Sequence, residues 1–159
     1  MSTPLPPENV WNYPRPPRLE RVPQRLCVVL GGETIADTAD GWRVLETSHP
    51  PAYYLPPDAF VRGALVASAR RSFCEWKGAA VYWTLAGGGR TEHDAGWSYP
   101  DPTPDFAPIR DHVAVYAGRM DACFVGDEQV TPQPGGFYGG WITSNLTGPF
   151  KGAPGSAGW

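Results

Sequence analysis

Long apolar runs are missing from this sequence. No stretch approaches the ~18 residues of a membrane-spanning helix, and the opening MSTPLPPENV has neither the basic nor the apolar region of a secretion signal. The expectation is a soluble, cytoplasmic protein. A basic excess is missing too: 13 Lys and Arg stand against 16 Asp and Glu, for a formal net charge of −3. With no basic stripe, no nucleic acid and no membrane surface is expected as a partner. Cys27, Cys74 and Cys123 are odd in number and lack any C-x-x-C spacing, so no disulfide framework and no zinc knuckle is encoded. No metal and no cofactor is expected, and free thiols fit a reducing compartment. Breaker-free stretches are also lacking. With 19 Gly and 19 Pro in 159 residues, a helical bundle is excluded, because an interior Pro costs ~3 kcal/mol and an interior Gly ~1 kcal/mol.

What is present can build a core. The chain is 42% apolar and carries 7 Trp, 7 Tyr and 6 Phe, a load that suits short strands, tight turns and ordered loops. Leu26–Leu30 followed by Gly31-Gly32-Glu33 and Thr34–Asp37 reads as a hairpin. Trp42–Glu46 reads as a strand that places Trp42, Val44 and Glu46 on one face. Ala52–Leu55, Lys77–Trp83, Val113–Tyr116 and Ala122–Val125 read likewise, with Asp58 capping a short turn and Leu65–Ser68 ambiguous. The segment from Trp97 to Pro108 reads as a structured loop with one helical turn. The expected architecture is all-β, with roughly eight short strands: a Pro-rich arm (1–24), a core (25–131) and a Gly- and aromatic-rich wrap (132–159), together a single structural domain.

The densest chemistry lies in Glu46 to Tyr54 and in Ser72 to Gly78. Cys74 and Lys77 are three residues apart, close enough on a tight turn for an ammonium to favour the thiolate, with Glu46 and His49 as proton-transfer groups. These four are the candidate catalytic residues. Tyr53, Tyr54, Tyr82, Trp97 and Tyr99 are the candidate ligand-binding residues, since such rings pair an apolar body with a polar tip. The bland alternative makes Cys74 a small buried hydrophobe, Lys77 a solvated turn residue and Glu46 a strand-edge charge. His93 and His112, beside Asp94 and Asp111, read as surface residues. Gly87-Gly88-Gly89 reads as a hairpin turn rather than a phosphate loop, because no helix follows it. Trp76-Lys77-Gly78-Ala79 and Phe150-Lys151-Gly152-Ala153 echo each other over too few residues to indicate duplication.

Leu30-Gly31-Gly32-Glu33-Thr34-Ile35-Ala36-Asp37, Tyr53-Tyr54-Leu55-Pro56, Cys74-x-x-Lys77-Gly78-x-Ala80-x-Tyr82-Trp83 and Trp97-Ser98-Tyr99-Pro100 occur here in series. This series resembles the family called domain of unknown function 427. The resemblance covers about Arg25 to Val130, and the arm and tail look similar to extensions of a longer subgroup. It implies a β-tent, two small antiparallel sheets meeting at an angle, shared with B-type methionine sulfoxide reductases and the thalidomide-binding domain of cereblon. Paired cysteines hold zinc in those relatives; here Cys74-x-x-Lys77 stands at the similar knuckle, which implies a metal-free site. The family more often has Pro-Tyr or Pro-Phe where this chain has Glu75-Trp76. It carries a nucleotidyltransferase-like label, but no Asp-x-Asp pair or phosphate-cradling helix start accompanies it here.

The leading expectation is a small-molecule pocket around Glu46, Tyr54, Cys74 and Lys77, whether catalytic or not. The alternatives are a non-catalytic ligand-binding or interaction module and a nucleotidyltransferase-like enzyme. A homodimer formed through the arm and tail is a further expectation.

Overall fold

The computed structural model describes residues 5–159. Among them the architecture is all-β, made of several small, mostly antiparallel sheets of which none closes into a barrel. One four-stranded sheet runs in the order Ala114–Val115, Arg90–Ser98, Gly78–Gly87, Leu65–Cys74, and a second in the order Glu128–Gln129, Ala122–Val125, Leu26–Leu30, Glu33–Thr38. A three-stranded sheet joins Arg18–Arg21, Trp42–Leu45 and Ala52–Tyr54. A short parallel pair, Glu8–Asn9 with Leu146–Thr147, ties the two ends of the described chain together.

Several expectations change. The ambiguous Leu65–Ser68 is the start of a strand that continues to Cys74, and Arg90–Ser98, unforeseen, is a full strand that absorbs Trp97. Both are polar, because much of their length faces solvent, and a strand with one wet face needs few apolar residues. Asp58 does not cap its turn. The 3-10 turn Pro57–Ala59 has Pro56 at its N-cap and no side-chain cap bond.

The main core gathers Leu26, Val28, Leu30, Ile35, Leu55, Leu85, Val113 and Val115, all fully buried or nearly so. Period-two alternation then sends Val44, Tyr54, Ala80, Tyr82 and Trp97 into a second cluster with Tyr99, Phe106 and Ile109. The two four-stranded sheets meet where their hairpin turns touch. Gly31 (φ 61°) lies against Gly88 (φ 55°), and a Cβ on Gly88 would collide with the Gly31 backbone. Only glycine accepts both that dihedral and that approach.

The arm and tail are part of the packed structure. Trp141 is wholly buried, stacked on Tyr53 at 5.1 Å, and donates its indole N–H to the Val115 carbonyl at 2.9 Å. Buried Ser48, in the left-handed region at φ 71°, receives both ends: its N–H donates to Val10 O at 3.1 Å and its carbonyl accepts from Lys151 N at 2.8 Å. Arg43 grips Glu8 with both terminal nitrogens (3.0 and 2.9 Å) and also bonds Glu20. Burial acts to raise the Glu8 carboxyl, but the bonds from Arg43 and from the Tyr13 hydroxyl outweigh it and hold the carboxyl below its ordinary value.

Gly88→Ala is expected to destabilise the fold by about 2 kcal/mol or more, read from the urea midpoint, because it adds both strain and a backbone clash. Glu8, lowered in the folded state, stabilises the fold fully above the ordinary carboxylate value of 4.5, and that contribution is lost as pH falls through the lowered one. The gap in melting temperature between the wild type and Glu8→Gln is therefore expected to narrow on acidification below that value.

Candidate functional site

A cleft of about 580 Å³ opens between the three-stranded sheet and the sheet that contains Leu65–Cys74. One wall carries Val44, Ala52 and Tyr54, and the other carries Ser72, Cys74, Tyr82 and Trp97. On the first wall Tyr54 alternates with Tyr53, which serves the main core, and Val44 with Leu45, which joins a third cluster, so sheet pairing places that lining. Tyr99 lies where its strand leaves the sheet, and Tyr116 leans on Trp97 at 4.8 Å.

The structure brings together Glu46, His49, Tyr54, Cys74, Lys77, Tyr82, Trp97 and Tyr99, all of which line the cleft. Tyr53 is the correction. It points to the opposite face of its strand from Tyr54, stacks on Trp141 and belongs to the main core, because adjacent strand residues cannot share a face. His93 is exposed and His112 half-buried, and neither lines the cleft.

Lys77 is not the solvated turn residue of the bland reading; it is only 8% exposed. The turn Glu75–Lys77 between the paired strand ends Cys74 and Gly78 is clamped by the following loop, with Thr103 N donating to Lys77 O at 3.1 Å and Thr103 Oγ1 donating to Trp76 O at 2.6 Å. That loop folds Phe106 over the lysine, so that Nζ sits 5.8 Å from both the Tyr99 and the Phe106 ring centroids. Such ring contacts contribute about 0.5–2 kcal/mol. Among the described residues no carboxylate or other acceptor bonds the ammonium, while every fully enclosed side-chain nitrogen and oxygen does have a partner. The open side of the Lys77 ammonium is therefore the cleft.

The other polar groups are arranged differently. Glu46 is half-buried and lies 3.7 Å from Arg15 of the arm. His49 Nδ1 donates to the Thr47 carbonyl at 2.9 Å, so Nε2 is the acceptor in the neutral ring. Tyr54 OH accepts from Trp97 Nε1 at 3.2 Å, and Ser72 Oγ lies 3.0 Å from Tyr82 OH. Burial raises the phenols of Tyr54 and Tyr99, and Tyr116 is pushed up to about 12 by burial and by Tyr82. These hydroxyls remain protonated at neutral pH and supply no anion.

The ends read in sequence as an arm and an ordered wrap, with none of their residues assigned to the site. Arg15, Gln133, Tyr138, Gly139, Gly140, Lys151 and Trp159 all line the cleft, as does Arg70, whose guanidinium lies 4.4 Å over the Tyr82 ring. Gln133 braces the tail, donating to Lys151 O at 2.8 Å and accepting from Gly140 N at 2.9 Å. A Cβ on Gly139 would strike the Trp97 ring, so glycine there lets the tail close against the aromatic wall. The one sequence signal was the echo of Lys77-Gly78 in Lys151-Gly152. Both lysines are 8% exposed and both glycines have positive φ, 107° and 102°.

The three thiols differ in setting. Burial and the hydrogen bond to Asp37 push the Cys27 thiol up, and burial alone pushes Cys123 up further, whereas Cys74 faces the cleft. Iodoacetamide at mildly alkaline pH is expected to modify Cys74 ahead of Cys27 and to leave Cys123 intact until unfolding, as read by peptide mass spectrometry.

No curated protein matches the chain. A family model described as Domain of unknown function (DUF427) matches residues 18–126, and the chain belongs to that family.

Proposed function

We propose that the chain is a small-molecule-binding protein whose ligand sits in the cleft closed by its own C-terminal segment. The observation that carries this reading is the cleft itself: about 580 Å³ between two sheets, walled by Tyr54, Tyr82, Trp97 and Tyr99 and edged with polar and charged side chains such as His49, Ser72 and Lys77. A cavity of that size and lining suits a flat organic molecule of modest size. The aromatic rings supply contact area, and Ser72, Tyr82 and His49 supply hydrogen bonds that fix orientation.

An enzymatic version uses the same cleft. His49 and Cys74 both line it, so in this version the thiol would be the nucleophile and the imidazole the proton-transfer group, brought together by a substrate that spans the cleft. Lys77 would then supply positive charge near the reacting group. The nucleotidyltransferase-like reading has less support, since the carboxylates lining the cleft are Glu46 and Glu75, and Glu46 is already engaged by Arg15.

Native mass spectrometry of the full chain, together with Trp fluorescence against a panel of small aromatic compounds, tests the binding reading. Trp97 and Trp159 line the cleft and report occupancy. Ala52→Trp, which fills the cleft from the three-stranded sheet, is expected to weaken binding at least tenfold, about 1.4 kcal/mol. Binding undiminished in a folded Ala52→Trp chain would show that the ligand sits elsewhere. Under the enzymatic version Cys74→Ser abolishes turnover and leaves binding intact.

A further inference from the structure

The cleft contains a cation that the protein itself does not neutralise. Lys77 is more than nine-tenths buried, lies between the Tyr99 and Phe106 rings and has no acceptor among the described residues. Lys151 makes a direct comparison: it is equally buried and lines the same cleft, yet its ammonium donates to the carbonyls of Ser156, Ala157 and Trp159 at 2.7, 3.0 and 3.3 Å. One buried lysine is satisfied by backbone, and the other opens onto a cavity. The remaining charges on the lining are Arg15, taken by Glu46; Arg70, over Tyr82; and Glu75, which is exposed. Over the whole lining the cations Arg15, Arg70, Lys77 and Lys151 outnumber the carboxylates Glu46 and Glu75, in a chain whose formal net charge is −3.

Resting on the small-molecule reading above, we propose that the Lys77 end of the cleft seats the carboxylate of a flat aromatic or conjugated monocarboxylate, with the ring system against Tyr54, Tyr82 and Trp97. A carboxylate matches a single ammonium. It needs few donors, and a charge-assisted bond to Lys77 replaces the water that the lysine gave up on burial. A phosphate asks for more: a guanidinium fork, a run of backbone N–H groups or a helix start. The helical turns here are 3-10 turns of three to six residues, and the guanidinium of Arg70 lies over a ring. The rings that hold the ammonium also exclude water from the bond it would form.

The test uses the full chain with three probes of one shape: naphthoate, its neutral counterpart naphthalenemethanol, and naphthyl phosphate. Affinities are read by calorimetry and Trp quenching at neutral pH. Naphthoate is expected to bind the wild type at least about tenfold more tightly than the alcohol, and more tightly than the phosphate. In Lys77→Met that preference is expected to vanish while the alcohol binds as before. The melting temperature of unliganded Lys77→Met is expected to equal or exceed the wild type, since an unpaired buried ammonium is replaced by an apolar chain of similar length. Equal affinity of the wild type for naphthoate and the alcohol overturns the proposal, and that comparison needs no variant to fold. Tighter binding of naphthyl phosphate overturns the carboxylate assignment. A lowered melting temperature in Lys77→Met with naphthoate binding unchanged assigns Lys77 to the fold and also overturns it. If the alcohol binds in the cleft and naphthoate shows no advantage, only this proposal fails. If none of the three probes binds, the small-molecule reading fails with it.

Discussion

The buried indole of Trp141 is the contact on which the cleft depends. It is far in sequence from the strands that it joins, yet it stacks on Tyr53 at an interplanar angle of 24°, bonds Val115 O through its ring nitrogen, and bonds Pro51 O through its backbone N–H at 2.8 Å. Removing a buried Trp side chain typically costs about 3–5 kcal/mol, a large share of the net stability of a small domain. Because Trp141 is fixed, the residues immediately before it are fixed as well. Gly140 is held against Pro50 and Gln133, and Gly139 against Trp97. The same contact decides the two adjacent tyrosines: Tyr53 is committed to Trp141, which leaves Tyr54 for the cleft.

The two buried lysines show how one local motif serves two ends. In each case a Lys is followed by a Gly of positive φ that turns the chain sharply, so the lysine stem is carried inward along apolar surface. The difference lies in what surrounds the ammonium. Backbone carbonyls of the last residues wrap Lys151, whereas aromatic faces surround Lys77. The neighbouring phenols stay protonated and give Lys77 dipoles and quadrupoles rather than a counter-charge. Its electrostatic environment is therefore completed from the cleft side, by water or by whatever enters.

Much of the fold was legible where apolar runs met glycine turns. Leu26–Leu30 and its Gly31-Gly32 turn stand out in any window, and the all-β class follows from breaker density together with aromatic content. Arg90–Ser98 was not legible, because Thr91, Glu92 and His93 carry no apolar alternation and become strand only by pairing with Gly78–Gly87. The members of the site within the core were legible as chemistry-bearing residues. Their facing was not: Tyr53 and Tyr54 are interchangeable in a one-dimensional pattern, and only the partner across the sheet separates them. Arg15 was beyond reach and Lys151 was signalled only by its echo of Lys77-Gly78, since tertiary packing of the two ends brings them to the cleft and no local propensity encodes that.

The Leu65–Cys74 strand is the outer strand of its sheet, ten residues long, with Phe73 77% exposed and Val66 49% exposed. An edge of this length offers unpaired backbone groups that another chain could extend, the usual beginning of sheet-to-sheet aggregation. The register shift between Ala67 and Arg71 interrupts it. A bulge twists the edge and divides its hydrogen-bonding face into short pieces, while Arg70 and Arg71 place like charges at the break. The strand that supplies Ser72 and Cys74 to the cleft therefore also carries its own obstacle to being continued by a neighbour, which keeps the mouth beside it open in a crowded solution.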